Sequence, residues 1–353
     1  MTRSEYYQQL LRLVASDQGA AEGLIARPSL DDLRSGRVTG AFLDLGDLLP
    51  QLSAAEIDRL FSIVAQRRIK FFATASVYYS DTVLENGLNQ HVTVESHQWW
   101  EALFKRKFEQ TDKLSSFEDS ELALTNFSVT PATKSKIASI HNVSPIQREL
   151  GRLANRIRLG GKVLMGGTTS QATLLAELEG KTVAVVGNAR SLASRRFGDD
   201  IDAHDIVVRF NRVPIVTRLS HGYRTDWVAT GVPITQERLT SLGASRLLWL
   251  SAYRRKMTRE TIAVKQLYLH PVGDIGSLAR RATVERPSTG LTALDLLSKS
   301  KLASATLYGF DFYHSQSASS HQTIENAPHA FDKEEIYVRA LMARDRRFQV
   351  AGA

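Results

Sequence analysis

The segment Lys181–Asn211 (KTVAVVGNARSLASRRFGDDIDAHDIVVRFN) decides the fold class of this chain. Two apolar runs rich in β-branched residues, Thr182–Val186 and Ile206–Phe210, predict buried strands, and a longer polar stretch separates them. Strands that read as continuous apolar runs are typical of parallel sheets covered by helices on both faces. The segment therefore predicts an α/β protein.

The same alternation of apolar runs and helical patterns continues towards the C-terminus. A helix is expected over Gly290–Ser298, and further strands over Trp227–Ala229, Arg246–Leu250, Gln266–Leu269 and Ala305–Tyr308. This half of the chain is predicted to form a doubly wound, mostly parallel, Rossmann-like sheet.

The N-terminal half gives weaker signals. Helix is expected over residues 1–40 and over Ser53–Arg67, where Ser53 and Glu56 form a capping-box pattern. Strands are expected over Lys70–Tyr79 and His91–Glu95. Ala41–Leu49 is either a strand or a turn into a helix. A helix is expected over Ser96–Phe108, and the region that follows is expected to be helical to about residue 160. We expect an additional α/β or helical region here.

A glycine-rich stretch, Leu159–Thr169 (LGGKVLMGGTT), predicts a domain boundary. The chain of 353 residues is long enough for two domains. We therefore predict an N-terminal region of residues 1–165 and a catalytic or binding domain of residues 166–353.

Composition narrows the class of protein. The chain has 43% hydrophobic and 23% charged residues, which is ordinary for a globular protein, and no run of about 18 apolar residues that would predict a membrane span. The absence of cysteine excludes disulfides and thiolate sites. With a polar N-terminus, this predicts a cytoplasmic protein. The net charge of +8 fits a solvated surface or peripheral association with an anionic membrane better than nucleic-acid binding, because the basic residues are dispersed.

Two predicted strands end in small polar residues. Gly187 and Asn188 follow the first strand and Asn211 follows the second. Ligands of open parallel sheets bind beyond the carboxyl ends of the strands, although a Gly-Asn pair can also be a tight turn only. There is no G-x-G-x-x-G, so a dehydrogenase has little support.

Three other features bear on chemistry. Asp200 and Asp202 form a D-x-D pair, but the pair precedes a strand, so a metal role is disfavoured. Pro287–Gly290 (PSTG) opens a helix whose N-terminus is either a simple cap or an anion site. A polar stretch contains three histidines, suited to acid–base work or to a metal site: His314, His321 and His329.

The order and spacing of four segments resemble the large, small, third and very small motifs of the animal-type sialyltransferase family. They are Lys181–Asn211, Arg286–Phe312, His321–Asn326 and His329–Glu334. Gly222–Asp226 also looks like the segment that follows the large motif. The departures are Ala189, where the family often has serine, and Ala184 and Leu296, near the positions of the family's disulfide cysteines. A bacterial cytoplasmic member would explain the lack of an anchor and of cysteine.

The resemblance implies a GT-A-like variant of the Rossmann fold and assigns roles to residues. His329 would be the catalytic base, His321 would pair with the departing phosphate, and Glu334 would support the site, with Glu335 as its competitor. The donor would be bound by Gly187, Asn188, Asn211, Ser288, Thr289, Gly290 and Gly309. No metal ion or cofactor is implied.

The implied reaction is an inverting transfer of a sialic acid from a CMP-activated donor to a hydroxyl of a glycan or glycolipid acceptor. CMP-Kdo or another 2-keto sugar acid remains open as donor. Two hypotheses of other classes are a nucleotide-binding module without transfer activity and a membrane-associated scaffold. The N-terminal region is expected to contribute to acceptor recognition.

Overall fold

The computed structural model describes residues 3–80, 82–117, 121–140, 145–311 and 329–352. The chain divides into two compact units. The N-terminal unit comprises residues 1–80 and 90–144, and the C-terminal unit comprises residues 81–89 and 145–353.

The N-terminal unit contains a mixed sheet. Its described strands are β1 (Ile25–Ala26), β2 (Phe42–Gly46), β3 (Lys70–Ser76), β4 (Asp112–Leu114) and β5 (Glu121–Thr125), and they lie in the order β1-β2-β3-β5-β4. The pairs β1/β2 and β2/β3 are parallel, whereas β5 runs antiparallel to both β3 and β4. The helices are α1 (Arg3–Asp17), α2 (Leu30–Ser35), α3 (Ala54–Gln66), α4 (His97–Lys107) and α5 (Pro131–Ile140).

Some of the N-terminal predictions hold and others are wrong. The capping box of α3 forms, with the Glu56 carboxylate accepting the Ser53 N–H at 2.7 Å. The helical reading of the region after residue 110 is wrong at Glu121–Thr125, which is a fully buried strand between β3 and β4. His91–Glu95 forms no strand. Both errors concern pairing between distant segments, which local patterns do not specify.

The C-terminal unit contains a parallel sheet. Its described strands are β6 (Thr182–Val186), β7 (Ile206–Phe210), β8 (Trp227–Thr230), β9 (Arg246–Trp249), β10 (Leu267–Leu269), β11 (Ser304–Tyr308) and β12 (Phe348–Val350). They lie in the order β10-β9-β8-β7-β6-β11-β12, and each neighbouring pair is parallel. The predicted doubly wound, Rossmann-like fold class is confirmed, and β12 is a strand that the sequence did not predict.

The helices of the C-terminal unit are α6 (Pro145–Leu164), α7 (Gln171–Glu177), α8 (Gly198–Asp202), α9 (Arg218–His221), α10 (Gln236–Ser241), α11 (Arg259–Ala263), α12 (Val272–Ala282), α13 (Thr289–Ser298) and α14 (Phe331–Arg344). Short 3-10 turns lie at Glu22–Leu24, Leu49–Gln51, Arg190–Ser194 and Arg254–Lys256. Within the described ranges, no helix combines the length and the apolar character that crossing a bilayer requires.

Both faces of this sheet are covered. On β6, Val183 and Val185 join one buried cluster with α12, α13 and α14, while Ala184 and Val186 join another with α8. Alternate residues of a strand point to opposite faces, so a run that is apolar throughout requires a core on each side. This explains why the strands of this half were readable as continuous apolar runs.

The compact units are divided at a different place from the predicted boundary at residues 165 and 166. Helix α6 belongs to the C-terminal unit, where Asn155 Nδ2 donates to the Met257 carbonyl at 3.3 Å and Lys162 Nζ donates to the Val264 carbonyl at 2.6 Å. The glycines that suggested a boundary stand at the end of this helix and just after it. The functional division into residues 1–165 and 166–353 stays a prediction.

Candidate active site

The carboxyl ends of β6 and β11 meet at the point where the strand order reverses direction. The chain proceeds from β6 outward to β10 on one side and continues with β11 and β12 on the other. In open α/β sheets this switch point is where ligands bind. The predicted donor residues Gly187 and Gly309 follow these two strands directly.

The two glycines are required by their contact with each other. Gly187 N donates to the Tyr308 carbonyl at 2.7 Å, and a Cβ atom on Gly187 would lie 2.4 Å from the Gly309 carbonyl oxygen. Gly309 has φ +64°, which favours glycine. The sequence reading attributed Gly187 to the approach of a ligand; the contact between the two loops is by itself a sufficient reason for a glycine there.

The two asparagines lie at the ends of neighbouring strands. Asn188 Nδ2 donates to the Phe210 carbonyl at 3.3 Å, so it spans from the end of β6 to the end of β7. Asn211 adopts φ +53°, a left-handed conformation that asparagine tolerates better than most residues. Its Oδ1 accepts the Gly231 N–H at 3.3 Å. Both side chains are therefore fixed at the carboxyl edge of the sheet.

The N-terminus of α13 lies against the same edge. Ser288 is the N-cap, and its hydroxyl accepts the Leu291 N–H at 3.1 Å. A Cβ atom on Gly290 would lie 3.3 Å from the Phe310 ring, and one on Gly231 would lie 3.5 Å from Thr289 Oγ1. The first-turn N–H groups of a helix lack intrahelical partners and attract anions. The start of α13 thus faces the loops that follow β8 and β11.

A buried carboxylate holds the cap of α13. Glu334, in the first turn of α14, accepts the Ser288 N–H at 2.7 Å and the Ser288 hydroxyl at 2.5 Å. Burial raises the pKa of Glu334 to about 7, and the hydrogen bonds from Ser288 offset this in part. The adjacent Glu335 instead accepts hydrogen bonds from Arg339, at 2.7 and 2.9 Å. Of the two competing glutamates, Glu334 is the one that contacts the predicted donor residues.

His329 lies beside this pair and is held by the backbone. Its Nδ1 is 2.9 Å from the Arg286 carbonyl oxygen, two residues before Ser288. A carbonyl oxygen only accepts, so Nδ1 carries the hydrogen and Nε2 carries the lone pair. Partial burial lowers the pKa of His329, with the Arg286 charge adding to the effect and the hydrogen bond opposing it. The imidazole is therefore neutral near pH 7, with a basic nitrogen.

The structure brings nine of the ten predicted site residues to this edge. They are Gly187, Asn188, Asn211, Ser288, Thr289, Gly290, Gly309, His329 and Glu334. The tenth, His321, lies with the whole His321–Asn326 segment outside the described residues. His314 does as well.

The D-x-D pair lies before β7, at the opposite, amino edge of the sheet. Asp202 accepts the Tyr223 N–H at 2.9 Å and the Arg224 N–H at 3.0 Å. Its carboxylate therefore orders the Gly222–Asp226 loop. Across the described ranges, no three His, Asp or Glu side chains form a group that could hold a metal ion. The expectation that the reaction needs no metal stays a prediction.

Sequence reasoning assigned no individual role to three residues of the site, although Arg286 and Phe310 lie in the segment Arg286–Phe312. The Phe310 ring would contact a Cβ atom on Gly187 at 3.0 Å and packs 5.8 Å from the Phe210 ring. Arg286 supplies its carbonyl to His329, and Gly231 follows β8 as Asn211 follows β7. The position of Gly231 directly after a strand could have marked it, whereas nothing local marks Arg286.

Part of the C-terminal unit matches a protein-family model. Residues 162–246 match the model described as glycosyltransferase family 29 (sialyltransferase). This segment of the chain is similar to the sialyltransferase family. The match confirms the resemblance predicted from the sequence and the predicted enzyme class, a glycosyltransferase. It includes Gly187, Asn188 and Asn211 and ends before Arg286, so the small, third and very small motifs lie beyond it.

Solved structures of mammalian sialyltransferases are also similar to this chain. One is a mammalian sialyltransferase in complex with Gal-beta-1-3GalNAc-ortho-nitrophenol, at 16% identity and a TM-score of 0.39, covering 60% of this chain and 88% of that one. A second mammalian sialyltransferase structure has the same identity and TM-score and is covered to 87%.

Proposed function

We propose that this sialyltransferase-like chain transfers a sialic acid, or a related 2-keto sugar acid, from a CMP-activated donor to a glycan hydroxyl. The observation that carries the proposal is the arrangement of His329, whose Nδ1 is committed to the Arg286 carbonyl and whose Nε2 is left as a base. It lies next to the α13 N-terminus and the switch point of the sheet. The match to the sialyltransferase family supports this class of donor.

The proposed reaction is a single displacement. His329 Nε2 takes the proton of the acceptor hydroxyl while that oxygen forms a bond to the anomeric carbon of the donor. The bond from that carbon to the phosphate oxygen breaks, and CMP leaves with the electron pair. A neutral imidazole with a lowered pKa suits this role near neutral pH. Attack from the face opposite the leaving group inverts the configuration.

The leaving CMP is assigned to the carboxyl edge of β6, β7 and β11. The Asn188 and Asn211 side chains are fixed at adjacent strand ends, and the α13 N-terminus offers N–H groups for an anion. Glu334 positions Ser288 and does not react. We further propose that His321 neutralises the departing phosphate, as the sequence resemblance implies.

A CMP-release assay tests this proposal. The full chain is incubated with CMP-sialic acid and, separately, with CMP-Kdo over a panel of glycan acceptors, with and without a chelator. We expect acceptor-dependent CMP release with one donor, unaffected by the chelator. Loss of release in the chelator would overturn metal independence, and a product of retained configuration would overturn the single displacement.

The same samples distinguish a transferase from a nucleotide-binding module without transfer activity. Calorimetry measures CMP binding directly. Binding without release, over the whole acceptor panel, would favour the module and remove the catalytic role of His329. If the protein neither binds CMP nor releases it from a donor, the assignment of CMP to this edge is overturned.

We propose that the N-terminal unit contributes to acceptor recognition. Supporting this, it contains a polar cleft of about 430 Å³ whose lining includes Arg3, Arg12, Arg27, Asp44 and Asp47. A change such as Arg27→Gln in this cleft should raise KM for the acceptor without changing the affinity for CMP. An unchanged acceptor KM in variants at several of these positions would contradict the proposal.

A further inference from the structure

Helix α6 exposes an apolar stripe. At 3.6 residues per turn, five large apolar residues lie within about 60° of one another around its axis. They are highly exposed: Ile146 (73%), Leu150 (60%), Leu153 (55%), Ile157 (67%) and Leu164 (88%). We call these five residues the α6 stripe. A contiguous exposed apolar surface of this kind marks an interaction site more often than isolated exposed residues do.

The opposite side of α6 attaches it to the C-terminal unit. Asn155 and Lys162, which donate to the Met257 and Val264 carbonyls, lie about 160–180° from the centre of the stripe. Leu159, on the same side, packs against a buried cluster of that unit. The stripe is therefore not the face by which the helix is held within its own unit.

Positive charge borders the stripe. Arg156 and Arg158 are both exposed and lie on opposite sides of it, about 80° and about 120° from its centre. Arg148 and Arg152 add further charge on the polar side of the helix, and Glu149, the acidic residue of the helix, pairs with Arg152. An amphipathic helix with arginine and lysine on its polar side and leucine and isoleucine on the other matches the pattern of helices that lie in a membrane interface.

We infer that α6 is a docking helix for an anionic lipid surface. The charge complementarity between its arginines and acidic lipid headgroups selects this partner over a neutral apolar surface. The stripe enters the boundary between headgroups and acyl chains, while the arginine stems extend along the apolar surface with their guanidinium groups at the phosphates. Docking needs neither CMP nor acceptor, so it is independent of the proposed transfer reaction.

Vesicle binding by the full chain tests the inference. Vesicles of phosphatidylcholine with phosphatidylglycerol are compared with vesicles of phosphatidylcholine alone, at low and high salt. We expect binding to the anionic vesicles that weakens as salt screens the charges. Leu150→Gln, Leu153→Gln and Ile157→Gln together should lower the affinity by at least roughly tenfold. Leu24→Gln, at a leucine that is 71% exposed outside the helix, should leave it unchanged.

A second variant tests the contribution of the charges separately from that of the α6 stripe. Arg156→Gln with Arg158→Gln changes only exposed side chains and should lower the affinity by roughly tenfold while removing much of the salt dependence. Circular dichroism checks that each variant keeps its helical content. Binding to anionic vesicles that persists in the stripe variant, or no binding by the parent chain, would overturn the inference.

Site-specific labelling reports insertion directly, because the chain has no cysteine of its own. Leu153→Cys carries an environment-sensitive dye on the stripe, and Gly151→Cys carries it about 160° away. A Cβ atom at Gly151 meets no atom within 4 Å, so the control is sterically tolerated. We expect a blue shift on anionic vesicles for position 153 and little for position 151. Equal shifts, or a stripe-dependent dimer in solution without vesicle binding, would contradict a membrane role.

Discussion

At the carboxyl edge of the C-terminal sheet, His329 donates Nδ1–H to the Arg286 carbonyl at 2.9 Å, and at the amino edge His204 makes the same contact with the Asp200 carbonyl at 2.9 Å. The neighbourhoods of the two histidines differ. Both side chains are partly buried. His329 lies beside the N-terminus of α13 and its hydrogen bond is partly buried, whereas the hydrogen bond of His204 is exposed. The contact with a backbone carbonyl is therefore not enough to mark a candidate base; the helix N-terminus next to His329 is what distinguishes it.

The charged residues of the two edges differ in the same way. The buried guanidinium of Arg209, a residue of β7, donates to the His221 and Arg224 carbonyls, and at the amino edge the Asp202 carboxylate accepts backbone N–H groups. At the carboxyl edge, the Glu334 carboxylate fixes one serine at the start of α13. Arg209 and Asp202 hold the segment between α9 and β8 in place, whereas the polar groups of the carboxyl edge surround the proposed site.

The largest expected effect is on catalysis at His329. His329→Asn keeps a donor for the Arg286 carbonyl and removes the basic nitrogen, so kcat should fall by about 10²–10⁴-fold. The measurement is CMP release with saturating donor and acceptor. His204→Asn is the matched control because it alters the same contact at the other edge. Equal activity of the two variants would show that His329 is not the base.

The next effect is on stability and concerns Arg209 of β7. Arg209→Met removes both hydrogen bonds of a side chain that is 2% exposed and leaves the nearby Asp202 and Asp226 charges without it. The free energy of unfolding should fall by about 2–5 kcal/mol, as measured by urea denaturation. The exposed Arg196→Met should change it by less than about 0.5 kcal/mol. A loss of similar size in both variants would contradict the structural role of Arg209.

A smaller effect is the pH dependence that Glu334 imposes on stability. Its pKa is raised from 4.5 to about 7, so between these pH values the folded state binds more protons than the unfolded state. The folded state therefore loses stability as pH rises through this window, by up to about 3 kcal/mol.

The test compares urea denaturation of the parent chain and Glu334→Gln at pH 5 and pH 8. The variant has no carboxyl group to deprotonate, so its stability relative to the parent chain should increase with pH. Glu335→Gln, at the neighbouring glutamate paired with Arg339, should not show this change. A parent-to-variant difference that is constant with pH would contradict the burial of a titrating Glu334.

The fold of the C-terminal unit was predictable because its signals are local. The strands Thr182–Val186 and Ile206–Phe210 were predicted with the bounds that the structure gives. Each is an apolar run that must be buried on both faces. The strand Glu121–Thr125 was not predicted, because its burial depends on pairing with Lys70–Ser76, which no local pattern encodes. Phe348–Val350 is a short edge strand with a weak signal.

The site was readable in part for a similar reason. Asn188, Asn211 and Ser288 stand directly at the ends of elements, so their positions follow from the strands and the helix. The partner of His329 is a backbone carbonyl 43 residues away, which any residue would supply. The choice between Glu334 and Glu335 depends on where α14 begins, because that sets which side chain faces Ser288.

The most direct test of the account measures CMP binding by calorimetry in two variants, one changed at the carboxyl edge of the C-terminal sheet and the other at its amino edge. Asn211→Asp keeps the oxygen that accepts from Gly231 N but replaces the amide donor by a negative charge, whereas Asp202→Asn alters charge at the amino edge. We predict that CMP affinity falls at least roughly tenfold in Asn211→Asp and stays near the parent value in Asp202→Asn. Equal affinities in both, or a loss confined to Asp202→Asn, would contradict nucleotide binding at the carboxyl edge.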